Sequence, residues 1–303
     1  MPRMIIGIVG AGGIGGYYAG LLSRAGHPVR LVARGDHLAA IQRRGLEVRT
    51  TDETFVMHPE ATDDGTRLVG CDYVFVTVKG YSLPEVGAEV AAAAKAGAAI
   101  VPLLNGIDVP DRLVALGVPR DAIIGGFVRA SLVRTEPGVI SRLSPFDLIV
   151  VGELDRVDRE RTTRLANVFT GATINAKVSD DIVLDLWRKF LFIVTMGVAC
   201  GLSRKSIGPV LSTERGRALV LGAIHEIVEV SQGALGPQDE EETRKDIFGL
   251  PGAMKPSFLL DLERGGPTEL ELLSGTVSRF GRERGIPTPI HDVATAAFEI
   301  ATT

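Results

Sequence analysis

The opening of the chain constrains its fold most. Met4-Ile5-Ile6-Gly7-Ile8-Val9 is an almost wholly apolar run, the pattern of a strand buried on both faces of a parallel sheet. Gly10-Ala11-Gly12-Gly13-Ile14-Gly15-Gly16 follows at once, and Tyr17 to Ala25 reads as a helix closed by Gly26. Each glycine has a physical task. Gly10 permits the tight turn, Gly12 lets the backbone approach a pyrophosphate, and Gly15 allows close helix–strand packing. With Gly13 and Ile14 these residues form a candidate dinucleotide cradle, because the helix start offers unpaired N–H groups to phosphates. The alternative is a Gly-rich turn in an unrelated α/β domain.

Pro28-Val29-Arg30-Leu31-Val32-Ala33 supplies a second strand, and its end is where an NAD site carries a carboxylate for the ribose hydroxyls. This chain has Arg34 there. A guanidinium pairs with a 2′-phosphate, so NADP(H) is expected over NAD(H). Asp36 lies close by but reads as the N-cap of the next helix, and His37 reads as a surface residue of its first turn.

Asp72-Tyr73-Val74-Phe75-Val76-Thr77-Val78 and Ala99-Ile100-Val101-Pro102-Leu103-Leu104 are further buried strands, ending at Lys79-Gly80 and Asn105-Gly106. Ligands of open parallel sheets collect at the carboxyl ends of strands, which makes Lys79 and Asn105 candidate cofactor contacts. The alternatives are a solvated lysine and a cap for the helix starting near Asp108. From Ile123 to Gly152 strands and turns alternate, with Pro137-Gly138 a turn signal, and this segment is expected to extend the same sheet. Strand signals stop after Val178. The division predicted is residues 1–179 as a Rossmann-type dinucleotide-binding domain and 180–303 as an all-helical domain, in a chain of 303 residues that is long for one core.

Composition excludes some classes. A net charge of −4 gives no sequence-wide attraction to nucleic acid or anionic lipid. The longest later apolar run, Phe190 to Leu202, is too short to span a bilayer. Cys71 and Cys200 are the only cysteines and suit neither a disulfide framework nor a metal site. The expectation is a cytoplasmic enzyme with a small-molecule substrate and without nucleic-acid or membrane partners. A homodimer is compatible with the sequence, which does not specify oligomeric state.

In the helical half, Asp185-Leu186-Trp187-Arg188-Lys189-Phe190-Leu191-Phe192 places a lysine among aromatic and aliphatic residues. Such a lysine either sends its ammonium to water along its stem or directs it at a group that needs a proton. Gly201 and Gly208-Pro209 are expected to punctuate this helix. Lys255 to Leu262 starts one further helix and Thr268 to Gly275 another; Ser257 fits a helix-start hydroxyl, and Thr268-x-x-Glu271 a capping box with Glu269 as a first-turn acid.

Taken together, the glycine turn, Val76-Thr77-Val78-Lys79, Leu104-Asn105-Gly106, Trp187-Arg188-Lys189, Pro256 to Asp261, Thr268-Glu269 and Gly285-Ile286-Pro287-Thr288-Pro289 resemble the ketopantoate reductase (2-dehydropantoate 2-reductase) family. The resemblance covers essentially the whole chain. It implies an NADPH-dependent oxidoreductase acting on CH–OH groups, reducing 2-dehydropantoate to (R)-pantoate for pantothenate and coenzyme A synthesis in a cleft between the domains. By position it makes Lys189 the general acid, with Asn105 orienting it and the nicotinamide. Glu269 would contact substrate and Lys189, Ser257 the substrate carboxylate, and Arg34 and Lys79 the cofactor.

One departure matters. The family pattern has asparagines one and two helical turns after the lysine, where this chain has Ile193 and Gly197. Losing polar contacts to a substrate hydroxyl weakens its recognition, so a related reductase of another 2-oxo acid or ketone is the closest rival. A non-catalytic NADP(H)-binding sensor is a third reading, against which the proton donor itself argues.

Overall fold

The computed structural model describes residues 3–145 and 147–302. They divide into two compact units, one formed by the described residues up to 104 with those of 109–183, the other by 105–108 with those from 184 on.

The first unit alternates strand and helix. β1 (Ile6–Val9) leads through the glycine turn into α1 (Gly13–Arg24), then β2 (Val29–Val32), α2 (Gly35–Arg44), β3 (Leu46–Arg49), β4 (Thr54–Met57) and β5 (Glu60–Thr62). β6 (Tyr73–Val76), α3 (Leu83–Lys95), β7 (Ala99–Pro102) and α4 (Val109–Ala115) follow. The main sheet has the order β5-β2-β1-β6-β7, and every pairing in it is parallel. β1 and β6 are buried throughout, as helices on both faces require of parallel strands. Because β2 and β6 flank β1, the chain reverses its winding beside β1. Its carboxyl end, where the glycines lie, is therefore the topological switch point at which such sheets bind ligands.

The later strands do not extend this sheet as one. β8 (Ile124–Arg129), β9 (Leu132–Glu136), β10 (Val139–Arg142), β11 (Leu148–Glu153), α5 (Glu160–Gly171) and β12 (Ala176–Val178) complete the unit. β9 and β10 join β3 and β4 in a second sheet of order β4-β3-β10-β9, while β12-β11-β8 form a third. Among the described residues an isolated parallel bridge, Ile100 to Ile123, links β7 to the start of that third sheet. The reason lies on α1, whose small residues admit the second sheet. A Cβ on Gly16 would press into Ile140, and one on Gly20 would stand 2.5 Å from Val48 Cγ2. Val48 and Ile140 are wholly buried against this side of α1, which the second sheet covers.

The second unit is helical: α6 (Ile182–Ser203, its first two residues counted with the first unit), α7 (Ile207–Leu211), α8 (Glu214–Val230), α9 (Pro237–Phe248), α10 (Ser257–Arg264), α11 (Ser274–Arg284) and α12 (Pro289–Thr302). α6 is the axis. Trp187 stands edge-on to Phe190 and tilted against Phe280 of α11, and Arg188 pairs with Asp239 of α9 at 2.7 Å. Gly201 does not interrupt α6, contrary to the sequence expectation; a Cβ there would lie 2.7 Å from the Phe298 ring of α12, so the glycine is a seat for an aromatic side chain. Both cysteines are buried and free. Among the described residues no helix is long and apolar enough to cross a membrane, and no cluster suits a metal ion.

Candidate functional site

The glycine turn is held from behind. Gly10 adopts φ +99°, a conformation costly for any other residue. Thr77 Oγ1, just past β6, lies 2.6 Å from the Gly10 carbonyl oxygen and donates to it. His37 lies 2.7 Å from the Ala11 carbonyl through Nε2, while its Nδ1 accepts the Gly138 N–H at 2.8 Å. Accepting at Nδ1 leaves the neutral ring to donate from Nε2. With two successive carbonyls bound backwards, the amides of the turn are left to face an anion.

His37 is therefore not the surface residue its sequence position suggested. It is 4% exposed, and burial holds its pKa below the ordinary imidazole value despite the opposing Ala11 carbonyl. Nor does Asp36 cap α2: Arg34 occupies the N-cap position, and Asp36 lies exposed in the first turn. The helix starts two residues earlier than its acid suggested, and Leu38 and Ile41 on it are buried in the core.

The remaining glycines divide by task. A Cβ on Gly15 would collide with the Gly10 carbonyl and Thr77 Oγ1, and one on Gly13 with the Leu132 carbonyl, whereas one on Gly12 would meet nothing within 4 Å. Gly12 is thus the open side of the cradle. α1 begins there with no side-chain cap and no acid in its first turn, so the helix dipole and the amides of Gly13 and Ile14 meet no competing negative charge. Arg34 pairs with Glu85 at 2.7 Å, but both side chains are more than half exposed. Such a pair is worth about 0–1 kcal/mol and yields readily to a phosphate. Lys79 is half-buried just beyond β6. These residues fit a dinucleotide phosphate.

The second unit holds the other group. After β7 the chain reaches Asn105, and Gly106 at φ +119° turns it away. Lys189 Nζ on α6 donates to Asn105 Oδ1 at 2.9 Å, and Asn105 Nδ2 donates to Glu269 Oε2 at 3.2 Å. The order of charges dictates the amide orientation, since only its oxygen suits the ammonium and only its nitrogen the carboxylate. Asn105 is thus committed to Lys189 and Glu269 rather than to a helix cap.

Glu269 is 6% exposed and precedes a single 3-10 turn, Leu270–Leu272; α11 begins only at Ser274. The helix and capping box expected from Thr268 do not form, because the chain instead buries Leu270, Leu272 and Leu273. Ser257 is the first residue of α10, exposed, and makes no cap hydrogen bond. Its neighbour Phe258 packs against Phe298 and lies 3.7 Å from where a Cβ on Gly197 would stand. The structure therefore brings Lys189, Asn105 and Glu269 into one hydrogen-bonded group and leaves Ser257 outside it. Thr77 and His37 were not legible as site residues; their only signal was proximity in sequence to the motif strands.

A parallel sheet with a glycine cradle at its switch point, together with a lysine relay on a helical unit, defines a nicotinamide-dependent oxidoreductase. The family model for ketopantoate reductase PanE/ApbA matches residues 6–156, and that for its C-terminal region matches 181–300. The chain belongs to the ketopantoate reductase family, whose members are NADP(H)-dependent oxidoreductases acting on CH–OH groups. It is 29% identical to a 2-dehydropantoate 2-reductase of Mesorhizobium japonicum, over 97% of this chain and 96% of that one. It is also 29% identical to an uncharacterized oxidoreductase, YkpB, of Bacillus subtilis, over 97% of both. A crystal structure of 2-dehydropantoate 2-reductase from Geobacter metallireducens superposes with a TM-score of 0.88 at 27% identity, covering 99% of this chain and all of the other.

Proposed function

We propose that the protein reduces 2-dehydropantoate to (R)-pantoate with NADPH, in pantothenate synthesis, with Lys189 as general acid. The observation that carries this reading is the chain of hydrogen bonds Lys189–Asn105–Glu269. NADPH held at the glycine turn would supply the hydride for the carbonyl carbon. Negative charge then grows on the carbonyl oxygen, and the Lys189 ammonium stabilises it and delivers the proton that makes the hydroxyl. Lysine is left neutral and regains its proton from water. Asn105 accepts one Lys189 N–H and so restricts the ammonium's directions, while Glu269 accepts from the amide's nitrogen and fixes its orientation. Arg34, Lys79 and the amides of the glycine turn hold the cofactor's phosphates, and Ser257 binds the substrate carboxylate.

A specific observation favours a second reading of the substrate. Ile193 and Gly197 follow Lys189 at four-residue intervals, hence on the same face of α6, and the Gly197 position faces Phe258. At those two positions there is no side-chain hydrogen bond for a substrate hydroxyl, which suits a 2-oxo acid or ketone with an apolar substituent. Steady-state turnover of NADPH with 2-dehydropantoate beside a panel of other 2-oxo acids separates the two. The vitamin-pathway reading requires 2-dehydropantoate to have the highest kcat/KM; a substrate lacking the hydroxyl that matches or beats it would remove that reading and leave the reductase chemistry.

A further inference from the structure

A cavity of about 380 Å³ opens beside Arg34, walled by the start of α2 (Arg34, Asp36, His37) and the end of β9 (Arg134, Thr135, Glu136). Its size falls within the range of small-ligand sites. It contains a second guanidinium, that of Arg134. Most arginines of this unit are matched to an acid: Arg24 with Glu53, Arg67 with Glu60, Arg142 with Asp147. Arg134 makes no side-chain hydrogen bond or ion pair among the described residues, although two carboxylates share its cavity. Glu136 is drawn instead toward Arg49 at 3.7 Å.

β9 is also bound to the glycine cradle. The Leu132 carbonyl closes against Gly13, and Ile140, paired with Arg134 across the β9–β10 hairpin, closes against Gly16. His37 bridges Ala11 of the cradle to Gly138 at the hairpin's turn. The strand bearing Arg134 is thus positioned by the same packing that shapes the pyrophosphate turn.

We propose that Arg134 is a second ligand of the adenosine 2′-phosphate, so that this cavity clamps the phosphate between Arg34 and Arg134 and Arg134 sets the preference for NADP(H) over NAD(H). The charge balance favours a second cation. Asp36 and Glu136 line the same space as Arg34 and Glu85 pairs with Arg34 itself, so one guanidinium alone stands among an excess of carboxylates. Two guanidiniums reduce that excess and supply the planar donor forks that phosphate oxygens accept. NADH, with a hydroxyl in place of the phosphate, has no use for the second fork.

The inference rests on the family's NADP(H) dependence, and binding measurements on the intact chain keep the two separable. NADPH, NADH and adenosine 2′-monophosphate would be titrated by calorimetry or fluorescence into wild-type protein, Arg134→Gln and Arg34→Gln. Because it removes a charge-assisted hydrogen bond to the phosphate, Arg134→Gln should weaken NADPH and adenosine 2′-monophosphate by about tenfold or more. NADH affinity should stay within about twofold, which also reports an intact fold. Unchanged NADPH affinity in Arg134→Gln would overturn the proposal, as would equal losses for NADPH and NADH, which would put Arg134 on the adenosine rather than its phosphate. Wild-type protein that failed to bind NADPH would remove the cofactor assignment and the clamp with it.

Discussion

Replacing Lys189 by Met tests the site at its centre. Methionine keeps most of the lysine stem but removes all three N–H donors. Two effects follow. The developing alkoxide loses a cation and a proton source, and general acid catalysis of this kind contributes about 10²–10⁴-fold, or about 3–5 kcal/mol of barrier. Asn105 Oδ1 also loses a donor now held at 2.9 Å; an acceptor left partly unsatisfied costs about 1–3 kcal/mol of stability, small enough for the fold to persist. The assay is steady-state NADPH oxidation on the best substrate found in the panel, with NADPH affinity measured separately by fluorescence. The expected result is kcat reduced at least about 100-fold with NADPH affinity unchanged, since the glycine turn and Arg34 are untouched by the substitution. If the variant keeps kcat within about threefold while binding NADPH normally, Lys189 does not donate the proton and the relay is structural.

Three further perturbations probe other parts of the molecule. Gly12→Ala meets open space and should leave thermal stability unchanged while weakening NADPH about tenfold or more, whereas Gly15→Ala drives a methyl into the Gly10 carbonyl and should lose about 1–3 kcal/mol of stability as well; equal melting curves for the two would refute the division of tasks. Ile193→Asn with Gly197→Asn restores two amides to the Lys189 face of α6, and the added Cβ at residue 197 meets Phe258 only at ordinary contact distance. Its kcat/KM for 2-dehydropantoate relative to a substrate lacking the hydroxyl should rise about tenfold, and no change in that ratio would place hydroxyl recognition elsewhere. His291 is wholly enclosed on α12, and burial pushes its pKa from 6.5 down to about 4. The unfolded chain therefore takes up a proton that the folded one refuses, so this contribution is present above about pH 6.5 and is lost as pH falls toward 4, to a total of about 3 kcal/mol. Glu226, whose carboxylate accepts the N–H groups of Ile290 and His291, has a raised pKa and works in the opposite direction. Denaturant melts at pH 7 and 5 should show a smaller pH-dependent loss in His291→Phe than in wild type; parallel losses would show that His291 does not titrate in this window.

Local periodicity made much of the first unit legible. β1, its glycine turn and α1 are neighbours in sequence, and their conformations follow from apolar runs and from backbone freedom that only glycine supplies, as at Gly10 with φ +99°. Arg34 at the end of β2 was legible for the same reason, because the strand end fixes its place. The helical character of the second half also follows from spacing alone. By contrast, His37 and Thr77 carry no local mark that separates a support of the cradle from a surface imidazole or an ordinary strand residue. Their function exists only once α2 and β6 are packed around the turn.

The same distinction divides the candidate catalytic group. Residue type and a helical apolar setting singled out Lys189, and family resemblance pointed to Asn105 and Glu269, but nothing in the spacing of three residues eighty or more positions apart requires them to meet. The sequence by itself determined most of the secondary elements and the dinucleotide turn, since these depend on short-range backbone sterics, and its family resemblance pointed to the class of chemistry. Only the tertiary structure decided that β9 and β10 leave the main sheet to cover α1, that Gly201 receives an aromatic ring, and that one amide joins an ammonium to a carboxylate. Those outcomes depend on which surfaces are buried together, a property of the whole packed chain rather than of any stretch of it.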